Sequence, residues 1–309
     1  MTGHRWFLVH GGSLALAAAL AVLPQGTPPP QQQPTFRTNV RTVSLYATVT
    51  DEYGDIVTKL TRDDFEVYDN GKLQEITVFS NARQPITVIL LFDTSNSMTL
   101  HVDAMKAAAE SFIIRLLPGD KARIGSFNDQ IIISPRFTED RDELLHIVRD
   151  GIRIANPTLL WDAVSESLDA VSGQDGRRVT IVFTDGADTI SKHSRREVAH
   201  RAVVEGSMVY TLWFRGNFRL VWDQPTDMRL PLDEDLRKLA KDTGGAFLDV
   251  RRVNLSAALA RIAEDLHQQY VLGFTPTVLD NKMHDLEVRM KRKGFVARSR
   301  KAYLATPEK

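Results

Sequence analysis

The sequence contains no cysteine. This absence excludes a disulfide framework, a zinc–thiolate site, an iron–sulfur cluster, a cysteine nucleophile and a lipid-modified cysteine. Net charge is missing too. Lys and Arg number 39 against 39 Asp and Glu, so nothing attracts the chain globally to nucleic acid or to an anionic membrane. The G-x-x-x-x-G-K-[ST] phosphate loop, the G-x-G-x-x-G dinucleotide turn and the G-x-S-x-G nucleophile elbow do not occur. His193 and His200 lack the Glu of an H-E-x-x-H frame, and the eight histidines are scattered, so solvent-facing positions are expected for them. Past residue 23, no apolar run reaches membrane-spanning length. What is present is 309 residues of ordinary globular composition, enough for one large domain or two smaller ones.

His4 and Arg5 precede a Leu/Ala-rich apolar stretch over residues 6–23, which breaks at Pro24-Gln25-Gly26. A basic start, an apolar middle and a small-residue exit near Ala19-Leu20-Ala21 are the layout of a secretory signal peptide over residues 1–26. His10, Gly11, Gly12 and Ser13 weaken the stretch as a permanent span. The expected location is periplasmic or extracellular, with an uncleaved N-terminal anchor as the alternative. Residues 27–35 (TPPPQQQPT) read as an extended linker.

Residues 36–83 alternate with period two and are rich in β-branched residues. Strands are expected over 40–50, 56–60 and 65–68, the last turning at Asn70-Gly71 into a strand over 73–80. From Pro85 strands alternate with helical patterns, the signature of βαβ units and a parallel sheet. Strands are expected over 85–92, 122–127, 131–137, 178–183, 208–214 and 246–250. Helices are expected over 102–117, 139–152, 160–171, 195–204, 236–242 and 255–267. After residue 269 short strands return, with those over 286–290 and 295–302 joined at Lys293-Gly294. The expected fold is α/β. A doubly wound, mostly parallel sheet over 84–268 is inserted in, or flanked by, a small β-rich domain made of 36–83 and 269–305. A few lone strands seldom stand alone, which favours pairing of the two flanks.

Residues 86–98 (ITVILLFDTSNSM) organise this plan. The apolar run to Phe92 reads as a strand buried on both faces, and it ends abruptly in polar residues. Asp93, Ser95 and Ser97 place a carboxylate and two hydroxyls at a strand's carboxyl end, where open α/β sheets bind ligands. Two other loops carry matching oxygens. Thr158 stands just before a helix, and Asp185 ends the strand over 178–183. Such hard oxygen donors suit a divalent cation: Mg²⁺ first, with Mn²⁺ or Ca²⁺ as alternatives. Asp188 is expected to serve its turn, Asp162 the first turn of its helix, and Thr94 and Asn96 the shape of the loop.

The order Asp93-x-Ser95-x-Ser97, then Thr158, then Asp185-Gly186 resembles a von Willebrand factor type A domain with a metal-ion-dependent adhesion site. Residues 120–129 (DKARIGSFND) and 239–247 (LAKDTGGAF) resemble stretches of that family around its second and last strands. The resemblance covers roughly residues 85–268, and the flanks resemble those of a bacterial group of exported proteins related to this domain. It implies that the serines and the threonine touch the metal while the aspartates act through water. It also implies that an acidic side chain of a protein partner completes the coordination, and that the helix over 255–267 moves with ligation.

Enzymatic readings fit less well. An aspartic peptidase needs Asp-Thr-Gly after a strand, but Ser95 replaces the Gly, and Asp242-Thr243-Gly244 follows a helical pattern. An aspartyl phosphatase needs a second carboxylate where Ser95 stands. The basic run over 289–300 reads as a half-exposed hairpin face, and Trp213, Phe214, Phe218 and Trp222 as core and loop packing. The expected function is a non-catalytic, exported, metal-dependent protein-binding module in adhesion or assembly. An envelope structural protein with a purely stabilising metal is the alternative, and a metal-dependent hydrolase is a third reading.

Overall fold

The computed structural model describes residues 42–151, 153–214 and 232–307. The expected leader (1–26), the linker (27–35), and Phe218 and Trp222 lie outside the described residues. Strands β1 (Val43–Thr50), β2 (Phe65–Asp69), β3 (Lys72–Gln74) and β4 (Val78–Ser80) come first. The α/β block follows as β5 (Ile86–Asp93), α1 (Val102–Ile113), β6 (Lys121–Phe127), β7 (Ile131–Ile133), α2 (Arg141–Asp150), α3 (Leu160–Val171) and β8 (Arg177–Thr184). It continues with α4 (Arg195–Glu205), β9 (Met208–Trp213), α5 (Leu232–Thr243), β10 (Phe247–Asp249) and α6 (Leu255–His267). Strands β11 (Tyr270–Phe274), β12 (Met283–Met290), β13 (Val296–Arg298) and β14 (Ala302–Leu304) close the described chain. None of the described helices is long and apolar enough to cross a membrane.

The central sheet has the order β10-β9-β8-β5-β6-β7, parallel except for the antiparallel edge strand β7. Every residue of β5 is buried, because helices cover both faces. Ile86, Val88, Leu90 and Phe92 pack with Met105 and Phe112 of α1, Leu144 of α2 and Leu259 of α6. Ile89 and Leu91 face the other way, onto Leu160 and Leu168 of α3, Val198 of α4 and Leu239 of α5. The period-two alternation therefore splits one apolar run between two cores, which is the doubly wound α/β arrangement. The chain leaves β5 towards β6 on one side and returns to β8 on the other, so the order reverses at β5.

The flanking strands form two antiparallel sheets, β13-β1-β11-β4 and β14-β12-β2-β3. Strands from before and after the α/β block alternate in the first and meet at the β12–β2 pair in the second. β1 pairs with β11 and β13, and β2 pairs with β12. Leu45, Val49 and Phe274 from one sheet share a core with Phe65, Val67, Leu286 and Val288 from the other. The hairpin between β2 and β3 turns at Asn70 and Gly71, with φ of 47° and 76°, the left-handed pair that a two-residue turn demands.

Several sequence expectations need correction. Residues 56–60 form only an isolated bridge, Thr50 to Ile56, with one further backbone bond from Val57 N–H to Val49 O. Residues 286–302 do not form a hairpin: after Gly294 the chain crosses to the other sheet, where β13 joins β1, and β14 then returns to β12. Helix α1 stops at Ile113, ahead of 114–117, where the bonds tighten to Arg115 N–H on Phe112 O and Leu116 N–H on Ile113 O. Two histidines are buried rather than solvent-facing. His267 Nε2 lies 2.6 Å from Asp120 Oδ2, and His284 Nδ1 lies 2.8 Å from Asp69 Oδ1.

The basic run is not merely a solvated face either. Arg298 ion-pairs with the buried Asp265 of α6, which also accepts from Thr48 Oγ1 of β1 and, at 3.0 Å, from Tyr210 OH of β9. Burial works against the Arg298 charge, but the Tyr210 and Asp265 groups more than offset it and raise its pKa. Close by, the buried Arg177 guanidinium donates to Leu266 O and, at 3.0 Å, to Gln269 O, and lies 4.9 Å from the Tyr46 ring centre. The end of α6 and both blocks thus share one polar junction.

Candidate metal centre

Asp93 ends β5 at the point where the strand order reverses, the place where open α/β sheets bind ligands. The register matters. Phe92 pairs with Phe183 of β8, so the next residues, Asp93 and Thr184, are in-register neighbours on one face. The Thr184 hydroxyl donates to Asp93 Oδ2 at 2.7 Å, and the Ser95 backbone N–H donates to Asp93 Oδ1 at 3.0 Å. Burial pushes the Asp93 pKa up to about 7, partly offset by the Ser95 and Thr184 hydrogen bonds and reinforced by the Asp185 charge. The groups acting on Asp93 are hydroxyls, a backbone N–H and a carboxylate, none of them cationic.

Ser95 is buried and Ser97 half-buried, with their hydroxyl oxygens 3.1 Å apart. Asp185 follows β8. Its Oδ1 accepts from Ala187 N–H at 3.0 Å, while its buried Oδ2 has no hydrogen-bond partner among the described residues. Gly186 takes φ of +87°, and its N–H donates to Thr184 Oγ1 at 3.0 Å, so this turn holds both Thr184 and Asp185 in place. The β5 and β8 ends therefore bring Asp93, Ser95, Ser97 and Asp185 together.

Thr158 is buried at the start of α3. Among the described residues no hydrogen bond joins it to the other four, but its loop is tied to theirs. The Thr158 N–H donates to Thr189 Oγ1 at 2.8 Å, and Thr158 O accepts from the N–H groups of Thr189 and Ile190 at 3.0 and 3.3 Å. The other side of the same loop is held to the β5 end. Ala155 N–H donates to Thr94 O, and Asn96 N–H to Asn156 Oδ1, each at 3.1 Å.

Two residues that sequence reasoning did not single out help to build this centre. Thr184 orients Asp93, and the only sequence signal for it is its place one residue before Asp185 on a parallel neighbour. Asn128, after β6, donates its side-chain N–H to Thr94 Oγ1 and to Arg153 O, both at 3.0 Å, tying three loops. Asp188 accepts from Leu160 N–H at 2.9 Å and from the Ser191 hydroxyl, so it caps α3 and braces its own turn. Asp162 accepts from the backbone N–H groups of Lys192 and His193. Trp213 donates its indole N–H to Asp185 O at 2.9 Å, and Phe214 is buried.

Two carboxylates and three hydroxyls make a hard, oxygen-only donor set. Among the described residues no three His, Asp or Glu side chains cluster as a metal group, so any cation here relies on hydroxyls for much of its coordination. The unpartnered Asp185 Oδ2 and the costly buried charge of Asp93 both fit a divalent cation.

A family model described as von Willebrand factor type A domain matches residues 88–187. The fold is similar to that of a von Willebrand factor type A protein from Catenulispora acidiphila, at 11% identity over 88% of this chain and 76% of that one, with a TM-score of 0.50. An aerotolerance-related membrane protein from Bacteroides fragilis is similar at 17% identity, over 59% of this chain and 98% of that one, with a TM-score of 0.47. The protein BatB from Bacteroides thetaiotaomicron gives 19% identity, 59% and 97% coverage, and a TM-score of 0.46. No curated protein matches the chain. The family match runs from β5 through the Asp185 loop, so it takes in the switch point and the strands β5 to β8 of the doubly wound sheet, and this part of the chain accordingly carries a von Willebrand factor type A domain.

Proposed function

We propose that the chain is an exported, non-catalytic protein-binding module that holds a divalent cation, Mg²⁺ before Mn²⁺ or Ca²⁺, at Asp93, Ser95, Ser97, Thr158 and Asp185. The observation that carries this reading is the buried, unpartnered Asp185 Oδ2 beside Asp93 and two adjacent serine hydroxyls at the switch point. A cation held largely by neutral hydroxyls keeps more of its charge than one held by several carboxylates, and so remains attractive to an anionic ligand from outside. The partner is a protein that presents an acidic side chain. Ser95, where a nucleophilic or acid–base carboxylate pair would need its second member, supports binding rather than turnover.

The test is a titration of Mg²⁺ and Mn²⁺ into the metal-free chain, with Asp93→Ala and Ser95→Ala as comparisons, followed by partner capture from the native envelope fraction with and without chelator. Loss of cation binding in both variants and loss of capture on chelation is the expected result. Capture that survives chelation, with only the melting temperature lowered, would leave the metal a stabilising role alone. Metal-dependent hydrolysis of phosphate esters or peptides, lost in Asp93→Ala, would overturn the non-catalytic reading.

A further inference from the structure

Each of the three loops that carry the candidate ligands also holds one large aliphatic side chain out in solvent. Leu100 is 75% exposed in the short helical turn Asn96–His101 that carries Ser97. Ile154 is 42% exposed ahead of Thr158, and Ile190 is 48% exposed beyond Asp185. A single exposed aliphatic residue is ordinary, but an apolar set around one polar point marks an interaction surface. The loops converge by hydrogen bonds already described. Ile190 N–H bonds to Thr158 O, and Ala155, next to Ile154, bonds to Thr94 O. Cationic residues accompany the aliphatic ones. Arg153 precedes Ile154 and Lys192 follows Ile190 by two positions, both exposed and without an ion-pair partner among the described residues. The exposed carboxylates Asp103 and Asp129 stand on neighbouring segments outside the three loops.

Apolar cover, unpaired cationic side chains and a cation open to an anion select one occupant. We infer that this surface takes an acidic peptide segment of a protein partner in which the metal-seeking carboxylate is flanked by aliphatic residues, with Leu100, Ile154 and Ile190 covering those flanks. This inference rests on the metal reading above, and it adds what surrounds the carboxylate. The aliphatic flanks supply contact area that a lone carboxylate lacks, and the exposed positions of the three residues leave the fold indifferent to their identity.

The experiment titrates three synthetic peptides into the full chain with Mn²⁺ present: a central Glu flanked by Leu, the same Glu flanked by Ser, and a Leu-flanked Gln. The Leu-flanked Glu peptide is expected to bind about tenfold more tightly than the Ser-flanked one, and the Gln peptide to lose binding. The Leu100→Ser/Ile154→Ser/Ile190→Ser variant is expected to bind both Glu peptides alike, with its Mn²⁺ affinity and circular dichroism unchanged. Equal binding of the two Glu peptides by the unmodified chain, equal binding of the Gln peptide, or no peptide binding at normal Mn²⁺ affinity overturns this inference and leaves the metal reading standing. Absence of Asp93-dependent Mn²⁺ binding overturns the metal reading, and this inference with it.

Discussion

Replacing Asp265 with alanine probes the junction between the flanking antiparallel sheets and the α/β block. Asp265 is buried on α6, and its two oxygens take the Thr48 hydroxyl of β1, the Tyr210 hydroxyl of β9 and the Arg298 guanidinium of β13. Arg298 also donates to Gly244 O, so it cannot leave without breaking a second contact. Asp265→Ala strands that guanidinium without its counter-ion. Stranding one member of a buried pair costs about 3–5 kcal/mol, and Arg298 keeps 29% of its side-chain surface in solvent, which points to the lower end. Thr48 and Tyr210 lose an acceptor each, and partial rehydration leaves about 1 kcal/mol from the two together. The expected loss is therefore about 4 kcal/mol, or roughly 10 °C in melting temperature for a unit of this size. Equilibrium urea denaturation at pH 7 measures it. The paired change Asp265→Leu/Arg298→Met is expected to recover more than half of the loss, because no unpaired charge remains. A loss below about 1 kcal/mol for Asp265→Ala, or a double variant no better than the single one, would falsify the junction as a stabilising element.

The remaining predictions concern single sites. Asp93 carries a pKa of about 7 in the fold against 3.8 for the free side chain, so the folded chain holds a proton through an interval in which the unfolded chain has lost it. The metal-free chain therefore loses about 4 kcal/mol of stability as pH rises from about 4 to 7, and Asp93→Asn removes that slope. Thermal melts in chelator are expected to show Asp93→Asn more stable than the unmodified chain at pH 8, with no rise on adding Mg²⁺; a less stable variant at pH 8 contradicts the reasoning. For Asp120, burial works to raise the pKa, but hydrogen bonds from His267, Leu117 N–H and Ile86 N–H prevail and hold it low. Its stabilisation is present above its unfolded pKa and lost as pH falls through its lowered folded pKa, so Asp120→Asn is expected to cost about 1–2 kcal/mol at pH 7 and progressively less as the pH is lowered, by denaturation along an acid series. A Cβ on Gly245 would sit 2.0 Å from Val209 O, so Gly245→Ala is expected to cost more than about 2 kcal/mol or to prevent folding. Gly173 has open space around it and φ of +74°, so Gly173→Ala is expected to cost only about 1 kcal/mol by the same urea assay.

The two kinds of segment differed in how much of them was legible. The eight residues of β5 could be recognised because both faces of a central parallel strand are apolar, so burial leaves its mark on every position. The flanking strands alternate, and period two says which face is buried without saying which strand lies alongside. That is why residues 286–302 read as a hairpin although β13 belongs with β1, some 250 residues earlier. Buried His267 and His284 were misread for a related reason. A polar side chain can be buried once a carboxylate lies within hydrogen-bond reach, and those carboxylates, Asp120 and Asp69, are remote in sequence.

By itself the sequence determined the α/β class and the carboxyl-end position of Asp93, because hydrophobic period and strand termini are local properties. Only the tertiary structure decided what Asp93 meets. The parallel register of β5 and β8 sets Thr184 against it, and the turn at Gly186 leaves Asp185 Oδ2 buried and unpartnered nearby. The same holds for the three aliphatic residues over the site. Each is unremarkable in its own loop, and it is the backbone hydrogen bonds between those loops that support reading them as one surface.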